Sequence, residues 1–416
     1  MGKFIGYRCS LCFHEYLPDQ VSYVCPADGG NLDVVLDYES LRQNLKPEEI
    51  NSSTFSSLWR YLSLLPVSNP GCVGTPLWEV GYTPVFNLHR IAKELDLRDL
   101  WLKDESCNPT ASFKDRASAV VVARAIEMNA NVVVTASTGN AGAALAGMAA
   151  AVGKKAVIFA PRTAPPAKIA QLLIYGAQVI LIDGSYDQAF DLTIQAAREF
   201  GWYCRNTGYN PFTIEGKKTA AFEIWEWSNK VPRLESRDTR LVIFVPVGDG
   251  NIISGIHKGF KDLLALGWIE QIPRLMGVQA EGSAAISNAF IAGDEQIKPV
   301  TAKTLADSIS VDLPRDGVRA VRAARQTDGA YMLVSDDEIL AALARLGQVG
   351  VFAEPAGATS FAGLIKARQS GLITETDPVL VLNTGSGLKD VKAAIKAVAE
   401  APIIEPTMEA LKRMLQ

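Results

Sequence analysis

One lysine lies in a sequence context that suits amine chemistry. Lys114 follows Phe113 and precedes Arg116, and residues 117–126 after it have the alanine, valine and isoleucine content of a buried helix. We predict that Ser112 caps this helix, which places Lys114 near the positive end of the helix dipole. The dipole and the Arg116 charge both favour the neutral amine, which can attack an aldehyde or abstract a proton. The alternative is a solvated lysine at a helix start.

Three turns that each follow an apolar strand carry the remaining polar groups. Residues 136–140 read Ala-Ser-Thr-Gly-Asn and open a helix, where amides and hydroxyls suit a carboxylate. Residues 246–252 read Pro-Val-Gly-Asp-Gly-Asn-Ile, and this glycine spacing favours a single phosphate over a pyrophosphate. Thr384 ends a third strand, where its hydroxyl can meet a heterocyclic nitrogen. Together with one lysine, these are the parts that hold pyridoxal phosphate.

Three cysteines near the N-terminus have the spacing of a zinc ribbon. Cys9 and Cys12 form a pair, Cys25 follows, and Asp28 stands where the fourth thiolate is expected. Three thiolates and a carboxylate can ligate zinc, and His14 is another candidate ligand. The two hairpins can equally persist as a docking appendage without a metal. A zinc ion here would be structural and remote from turnover, because a long connector precedes the catalytic motifs.

Strands and helices alternate through the rest of the chain, with β-branched apolar runs between amphipathic segments. Predicted strands lie at residues 132–136, 156–160, 179–182, 241–247, 275–279 and 378–383, and predicted helices at 140–152, 166–175, 186–200, 216–228, 252–266, 336–346 and 357–370. We predict an α/β protein with two doubly wound domains flanking a cofactor cleft. Residues 110–212 form the small domain, and residues 37–109 with 213–400 form the large one. Residues 1–36 form a degenerate zinc-ribbon-like appendage, and residues 401–416 a C-terminal helix or tail.

Composition excludes several classes of partner. The 416 residues carry 41 basic and 45 acidic side chains, a net charge of −4, so neither nucleic acid nor an anionic membrane surface is expected. Apolar runs are interrupted within the length that a bilayer requires, and no apolar signal region opens the chain. We expect a cytoplasmic enzyme that acts on a small molecule.

The motifs together resemble the threonine synthase family of pyridoxal-phosphate enzymes, whose fold also includes the tryptophan synthase β-subunit. The resemblance covers nearly the whole chain and is carried by Asn-Pro-Thr-Ala-Ser-Phe-Lys-Asp-Arg at 108–116, Glu-Gly-Lys-Lys-Thr-Ala-Ala-Phe-Glu at 215–223, Glu-Pro-Ala at 354–356, Thr-Gly-Ser-Gly-Leu-Lys-Asp at 384–390, and the two turns at 136–140 and 246–252. It implies a homodimeric enzyme that converts O-phosphohomoserine and water to threonine and phosphate. The reaction would pass through an external aldimine on the cofactor released from Lys114.

The resemblance also implies roles for individual residues. Lys114 forms the Schiff base, Asn140 contacts the cofactor's 3-hydroxyl, and Thr384 meets the pyridine nitrogen. The other cofactor contacts that it implies are Phe113, Gly248, Asp249, Gly250, Asn251 and Ile252. The substrate contacts that it implies are Ser137, Thr138 and Gly139 for the carboxylate, together with Asn206 and Arg315.

Two positions depart from the family pattern. Thr213 stands where members that use phosphohomoserine commonly have an arginine for the substrate phosphate, and a hydroxyl cannot replace that charged fork. Arg315 or Lys218 would have to take over, and we favour Arg315 because Lys218 has Glu215 close by. Otherwise the enzyme is a related amino-acid lyase or β-replacement enzyme, such as a serine/threonine dehydratase-like or phosphoserine-dependent synthase. Ala111 replaces a family glycine, which is harmless if its backbone angles are ordinary.

Overall fold

The N-terminal segment folds as a small antiparallel sheet with the strand order β2-β1-β3. The computed structural model describes residues 4–164, 166–232, 234 and 240–416, so residues 1–3 of the predicted appendage lie outside the described residues. The strands and the connector helices that follow are β1 (Phe4–Cys9), β2 (Glu15–Tyr16), β3 (Leu32–Leu36), α1 (Tyr38–Asn44), α2 (Pro47–Asn51) and a 3₁₀ helix (Leu58–Leu64). Two hairpins and a helical connector therefore precede the main body.

A four-stranded parallel sheet with the order β8-β7-β6-β9 forms the smaller layer. Its strands and the helices between them are β6 (Val132–Ala136), α5 (Asn140–Ala151), β7 (Lys155–Pro161), α6 (Pro166–Ile174), β8 (Gln178–Ile182), α7 (Tyr186–Phe200) and β9 (Tyr203–Cys204). All four strands come from the predicted segment 110–212. Helix α5 consists mostly of alanine and glycine, which allows close packing on the sheet.

A six-stranded sheet with the order β12-β11-β10-β13-β5-β4 forms the larger layer, parallel except for the antiparallel edge strand β4. Its strands are β4 (Val85–Asn87), β5 (Leu100–Asp104), β10 (Val242–Pro246), β11 (Arg274–Ala280), β12 (Tyr331–Val334) and β13 (Val379–Asn383). The remaining helices are α3 (His89–Glu94), α4 (Lys114–Glu127), α8 (Phe212–Lys217), α9 (Thr219–Ser228), α10 (Asn251–Leu266), α11 (Ala285–Ile291), α12 (Gly317–Arg325), α13 (Asp336–Gly347), α14 (Pro355–Gln369), α15 (Val391–Lys396) and α16 (Met408–Leu415). The predicted alternation of strands and helices is confirmed.

One predicted helix differs from the observed structure in its bounds. The helix predicted at 216–228 begins earlier and is divided into α8 and α9 at Lys218. Within the described ranges, no helix is both long and apolar enough to cross a membrane.

The predicted helix cap at Ser112 is wrong. Phe113 occupies the cap position of α4 and makes no side-chain cap bond, while Ser112 forms an isolated antiparallel bridge with Gly385. The Ser112 hydroxyl is buried and has no hydrogen-bond partner among the described residues. Extended pairing with the end of β13 therefore prevents this side chain from folding back over the helix.

Candidate active site

Lys114 begins α4 at the point where the two sheets face each other. The Phe113 amide donates to the Thr384 carbonyl at 2.9 Å, so the end of β13 holds the residue before the lysine. Lys114 lines a cavity of about 450 Å³ whose opposite wall includes residues 137–141. Burial lowers the pKa of Lys114, and the Arg205 guanidinium lowers it further against the pull of the Glu354 and Asp249 carboxylates. The environment therefore favours the neutral amine.

Arg116 is not the cation that affects this lysine, contrary to our expectation. Its guanidinium is fully buried and points away into a carboxylate pair, 2.7 Å from a Glu105 oxygen and 2.8 Å from a Glu223 oxygen. Lys103 donates to the same Glu223 carboxylate at 2.7 Å. This cluster secures the base of α4, and its charges neutralise one another.

The turn after β6 faces the cavity as the sequence suggested. Ser137, Thr138 and Gly139 all line it, at the N-terminus of α5 where backbone amides point outward. A Cβ at Gly142 would lie 2.0 Å from the Ser137 carbonyl oxygen, so the turn can close this tightly only over a glycine. The arrangement suits a carboxylate.

Asn206, the other predicted substrate contact, lies behind this turn and not in the described cavity wall. Its side-chain carbonyl accepts from the Ala136 amide at 2.8 Å and from the Thr135 hydroxyl at 3.0 Å. The residue therefore holds the end of β6 in place.

Asn140 is paired with a carboxylate that our sequence reasoning left without a role. Its side-chain nitrogen donates to the two Glu354 oxygens at 2.8 and 3.0 Å. Burial raises the pKa of Glu354, and the Asn140 amide opposes that shift. Glu354 belongs to the Glu-Pro-Ala motif at 354–356, which supports the family resemblance but by itself gives no role for the carboxylate.

The turn after β10 forms a second, smaller cavity of about 40 Å³. Residues 246–252 line it together with Lys114, Lys217 and Thr384. A Cβ at Gly248 would lie 2.8 Å from the Ile309 Cα atom. Gly250 has a φ of +87°, and a Cβ there would lie 2.7 Å from the Asp316 carbonyl oxygen. Backbone amides at the start of α10 and a buried lysine therefore form a cradle that fits the phosphate of pyridoxal phosphate.

Ala111, three residues before α4, has a left-handed backbone conformation with a φ of +60°. The alanine would be harmless only with an ordinary backbone angle, and this condition is not met. The left-handed region is favourable for glycine and costs about 1–2 kcal/mol for a residue with a Cβ. The family glycine at this position therefore has a conformational reason, and this chain carries the strain.

The two candidate cations for a substrate phosphate have different surroundings. Arg315 lines the larger cavity, pairs with Asp187 and stacks on the Phe190 ring, with 4.6 Å between its guanidinium carbon and the ring centroid. Lys218 is fully buried and donates to Glu215 and Asp262. Of the two, only Arg315 faces a place where a substrate can lie.

The four predicted metal ligands come together in the N-terminal sheet. Cys9, Cys12, Cys25 and Asp28 each offer a ligand atom, and these atoms all lie within 4.8 Å of one another. His14 is not a member of this group. Three thiol sulphurs and one carboxylate oxygen are a donor set that fits zinc.

The N-terminal segment also contacts the loop that carries Arg315. The Asn31 side-chain nitrogen donates to the Arg315 carbonyl at 3.1 Å and to the Gly208 carbonyl. Asp33 accepts from Arg319 at 2.7 Å. The appendage is therefore in contact with the loop that carries Arg315.

Comparison with known proteins agrees with this geometry. A family model described as pyridoxal-phosphate dependent enzyme matches residues 78–385. Threonine synthase from Methanocaldococcus jannaschii is 38% identical over 413 residues, which is 98% of this chain and 99% of that protein. Threonine synthase from Methanosarcina acetivorans is 36% identical over 98% of each chain. The chain belongs to the threonine synthase family of pyridoxal-phosphate dependent enzymes.

Solved structures show the same fold at low sequence identity. Threonine deaminase isoform 2 from Solanum lycopersicum aligns with a TM-score of 0.65 at 22% identity, over 82% of this chain and 88% of that one. Diaminopropionate ammonia lyase from Escherichia coli aligns with a TM-score of 0.65 at 20% identity, over 85% of this chain and 93% of that one. The protein is a pyridoxal-phosphate-dependent carbon–oxygen lyase of the threonine synthase type.

Proposed function

We propose that the protein converts O-phosphohomoserine and water to threonine and phosphate. The observation that carries this proposal is the cavity of about 450 Å³, in which a lysine that favours its neutral form, a turn suited to a carboxylate and an arginine lie together. An amino acid with a second anionic group at its far end matches these three features. The relatives named threonine synthase support the same conclusion.

The residues of the chain have separate tasks in this reaction. Bound pyridoxal phosphate supplies an electron sink that stabilises negative charge at the substrate α-carbon. Lys114 Nζ takes protons from the α- and β-carbons, and protons return to the γ- and α-carbons. The phosphate leaves the γ-carbon with the electron pair of the broken C–O bond, and water adds at the β-carbon. Residues 137–139 hold the carboxylate, and Arg315 holds the phosphate that departs.

Glu354 and Asn140 would orient the ring of bound pyridoxal phosphate. Their mutual hydrogen bonds of 2.8 and 3.0 Å fix the amide and the carboxylate at the border between the two cavities. Residues 246–252 and Thr384 line the small cavity and would hold the cofactor's phosphate and its pyridine nitrogen. The reacting atoms are thereby kept next to Lys114.

A related lyase or β-replacement enzyme is the second candidate function. Thr213 favours it, because this residue is fully buried and its hydroxyl donates to the Asn210 carbonyl at 2.7 Å. It does not reach the cavity that Arg315 lines. A serine/threonine dehydratase-like reaction would need no cation for a substrate phosphate, and a phosphoserine-dependent reaction would need the cation closer to Lys114, because phosphoserine is one carbon shorter than phosphohomoserine.

We also propose a structural zinc ion bound by Cys9, Cys12, Cys25 and Asp28. The close approach of the four ligand atoms supports this set, and the Gly30 amide donates to the Asp28 carboxylate at 2.8 Å. That bond orients the carboxylate as a ligand. A homodimer in the cytoplasm remains a prediction from the sequence.

Product analysis of the purified holoenzyme tests the proposed function. The enzyme is incubated separately with O-phosphohomoserine, O-phosphoserine, serine and threonine, and the products are identified by mass spectrometry. Threonine and phosphate in equal amounts from phosphohomoserine alone are the expected result. Ammonia and a keto acid from serine or threonine, with phosphohomoserine unchanged, would replace the proposal with the second candidate.

A further inference from the structure

Lys217 is a fully buried lysine for which the proposed reaction has no task. Its ammonium nitrogen donates to the Asn251 side-chain carbonyl, and among the described residues it forms no ion pair. A buried charge without an opposite charge is costly, so such a group is retained where an anion will meet it. The two lysines at 217 and 218 differ in this respect, because Lys218 lies between two carboxylates.

The surroundings of Lys217 aim its amine at the phosphate cradle. The Asn251 side-chain nitrogen donates a hydrogen bond to Asp316 at 2.7 Å, and Arg319 donates to the same Asp316 carboxylate. These two hydrogen bonds fix the Asn251 amide so that its oxygen faces Lys217. A Cβ at Gly255 would lie 2.6 Å from the Lys217 Cβ atom, so the missing side chain there makes room for the lysine against α10.

Charged groups of both signs lie near Lys217. Burial lowers its pKa well below the usual value, and Lys114 and Arg205 lower it further, against the pull of the Asp316 and Asp249 carboxylates. Arg205 is fully buried as well, donates to the Ser118 and Thr207 hydroxyls, and keeps one guanidinium nitrogen without a partner in the described part of the chain. A dianion in the adjacent cavity of about 40 Å³, which Lys217 lines, would stabilise the charged form of this lysine.

We propose that Lys217 binds the phosphate of the cofactor directly, as a charged ligand that supplements the backbone amides of the glycine turn. The inference rests on the cofactor that the proposed function requires, and it adds a residue that sets cofactor affinity. Lys217 lines the small cavity together with residues 246–252, whereas Arg315 lines only the larger one. The two cations therefore serve two different phosphates.

Binding of two cofactor forms to the apoenzyme tests the role of Lys217. Wild type, Lys217→Gln and Lys217→Arg are titrated with pyridoxal phosphate and with pyridoxal, which lacks the phosphate, and binding is followed by absorbance and protein fluorescence. Glutamine keeps a donor for Asn251 and removes the charge. We expect Lys217→Gln to weaken pyridoxal phosphate about ten- to hundredfold, the usual effect of a charge-assisted hydrogen bond, and to leave pyridoxal unchanged. Lys217→Arg should retain most of the preference for the phosphorylated form.

Lys218→Met is the matched control, since it removes a neighbouring lysine of equal burial. It should lower thermal stability because Glu215 and Asp262 lose a partner, yet keep the affinity ratio of the two cofactor forms. If Lys217→Gln folds poorly, Lys217→Met replaces it in the test. The ratio of the affinities for pyridoxal phosphate and pyridoxal is compared, because this ratio does not depend on the fraction of protein that is folded. A wild-type ratio in the uncharged variants would overturn the inference. If the affinity ratio falls in the uncharged variants as expected but the wild-type enzyme does not turn over phosphohomoserine, only the proposed function is overturned.

Discussion

Arg315 has an aromatic ring and a carboxylate from the opposite side of the cavity as its partners, Phe190 and Asp187. A phosphorylated substrate would replace the Asp187 contact by a stronger charge-assisted one. We expect Arg315→Ala to lower kcat/KM for phosphohomoserine about ten- to hundredfold, mainly through KM, because about 1.5–3 kcal/mol of binding is lost. The absorption band of the covalently bound cofactor should remain. Arg345→Ala, which removes an arginine paired with Glu94, is the control.

Steady-state kinetics on both variants decide this prediction. If Arg315→Ala handles phosphohomoserine as well as wild type does, the substrate phosphate is held elsewhere. The assignment of Arg315 would then be withdrawn.

The strain at Ala111 leads to a prediction about stability. Its φ of +60° suits glycine, so Ala111→Gly should raise the free energy of unfolding by about 1 kcal/mol, as the relief of left-handed strain exceeds the added chain entropy. Ala150→Gly, at an exposed position in α5, should instead lower it by about 1 kcal/mol. Urea unfolding of both variants measures the difference. Equal destabilisation by the two substitutions would contradict the conformational explanation.

At the scale of elements, a buried ionic cluster joins three segments next to the start of α4, the helix that Lys114 begins. Glu223 of α9 accepts from Arg116 of α4 and from Lys103 of β5, and the Tyr82 amide donates to it at 2.7 Å. Removal of one member leaves charges buried without a partner, which costs about 3–5 kcal/mol. We therefore expect Glu223→Gln to lower the melting temperature strongly at neutral pH.

The contribution of Glu223 to the free energy of unfolding should depend on pH in the acid range. Although burial opposes it, Arg116 and then Lys103 hold the pKa of Glu223 at about 2, against a usual value of 4.5. A depressed pKa stabilises the fold above the usual value, and the contribution disappears as pH falls toward the folded-state value. The difference in unfolding free energy between wild type and Glu223→Gln should shrink from pH 4.5 to pH 2. A difference that stays constant over this interval would show that Glu223 is not the titrating group.

At the scale of the whole molecule, the N-terminal segment connects the four proposed zinc ligands to the loop of Arg315. Asn31 bridges the carbonyls of Gly208 and Arg315, and Asp33 binds Arg319. We expect zinc removal by a chelator to lower the melting temperature and to raise KM for the phosphorylated substrate, with kcat little changed. Metal content, thermal unfolding and steady-state kinetics on the same sample provide the measurement.

Asn31→Ala separates the contact from the metal. It should raise KM in the same direction while the zinc content stays at the wild-type value. A KM that is unaffected by both treatments would return the appendage to the remote structural role that the sequence suggested.

Short-range sequence patterns were enough to predict most of the strands and helices and the turns that follow the strands. The strand–turn–helix units at 136–140 and 246–252, and the position of Lys114 at the start of α4, depend on glycines and apolar periodicity within a few residues. Such short-range preferences can be read without knowing the tertiary contacts. The turns at 136–140 and 246–252 therefore follow the predicted strands, and they lie in the walls of the two cavities.

Contacts between distant segments were decided only by the tertiary structure. Lys217 and Lys218 are neighbours in sequence, but consecutive helical residues point about 100° apart. The first therefore lines the small cavity, and the second lies between Glu215 and Asp262. Arg205 replaces Arg116 as the cation near Lys114 for a similar reason. Whether a charge meets a cavity or a buried opposite charge depends on the packing of segments far apart in the chain, and no local pattern encodes that choice.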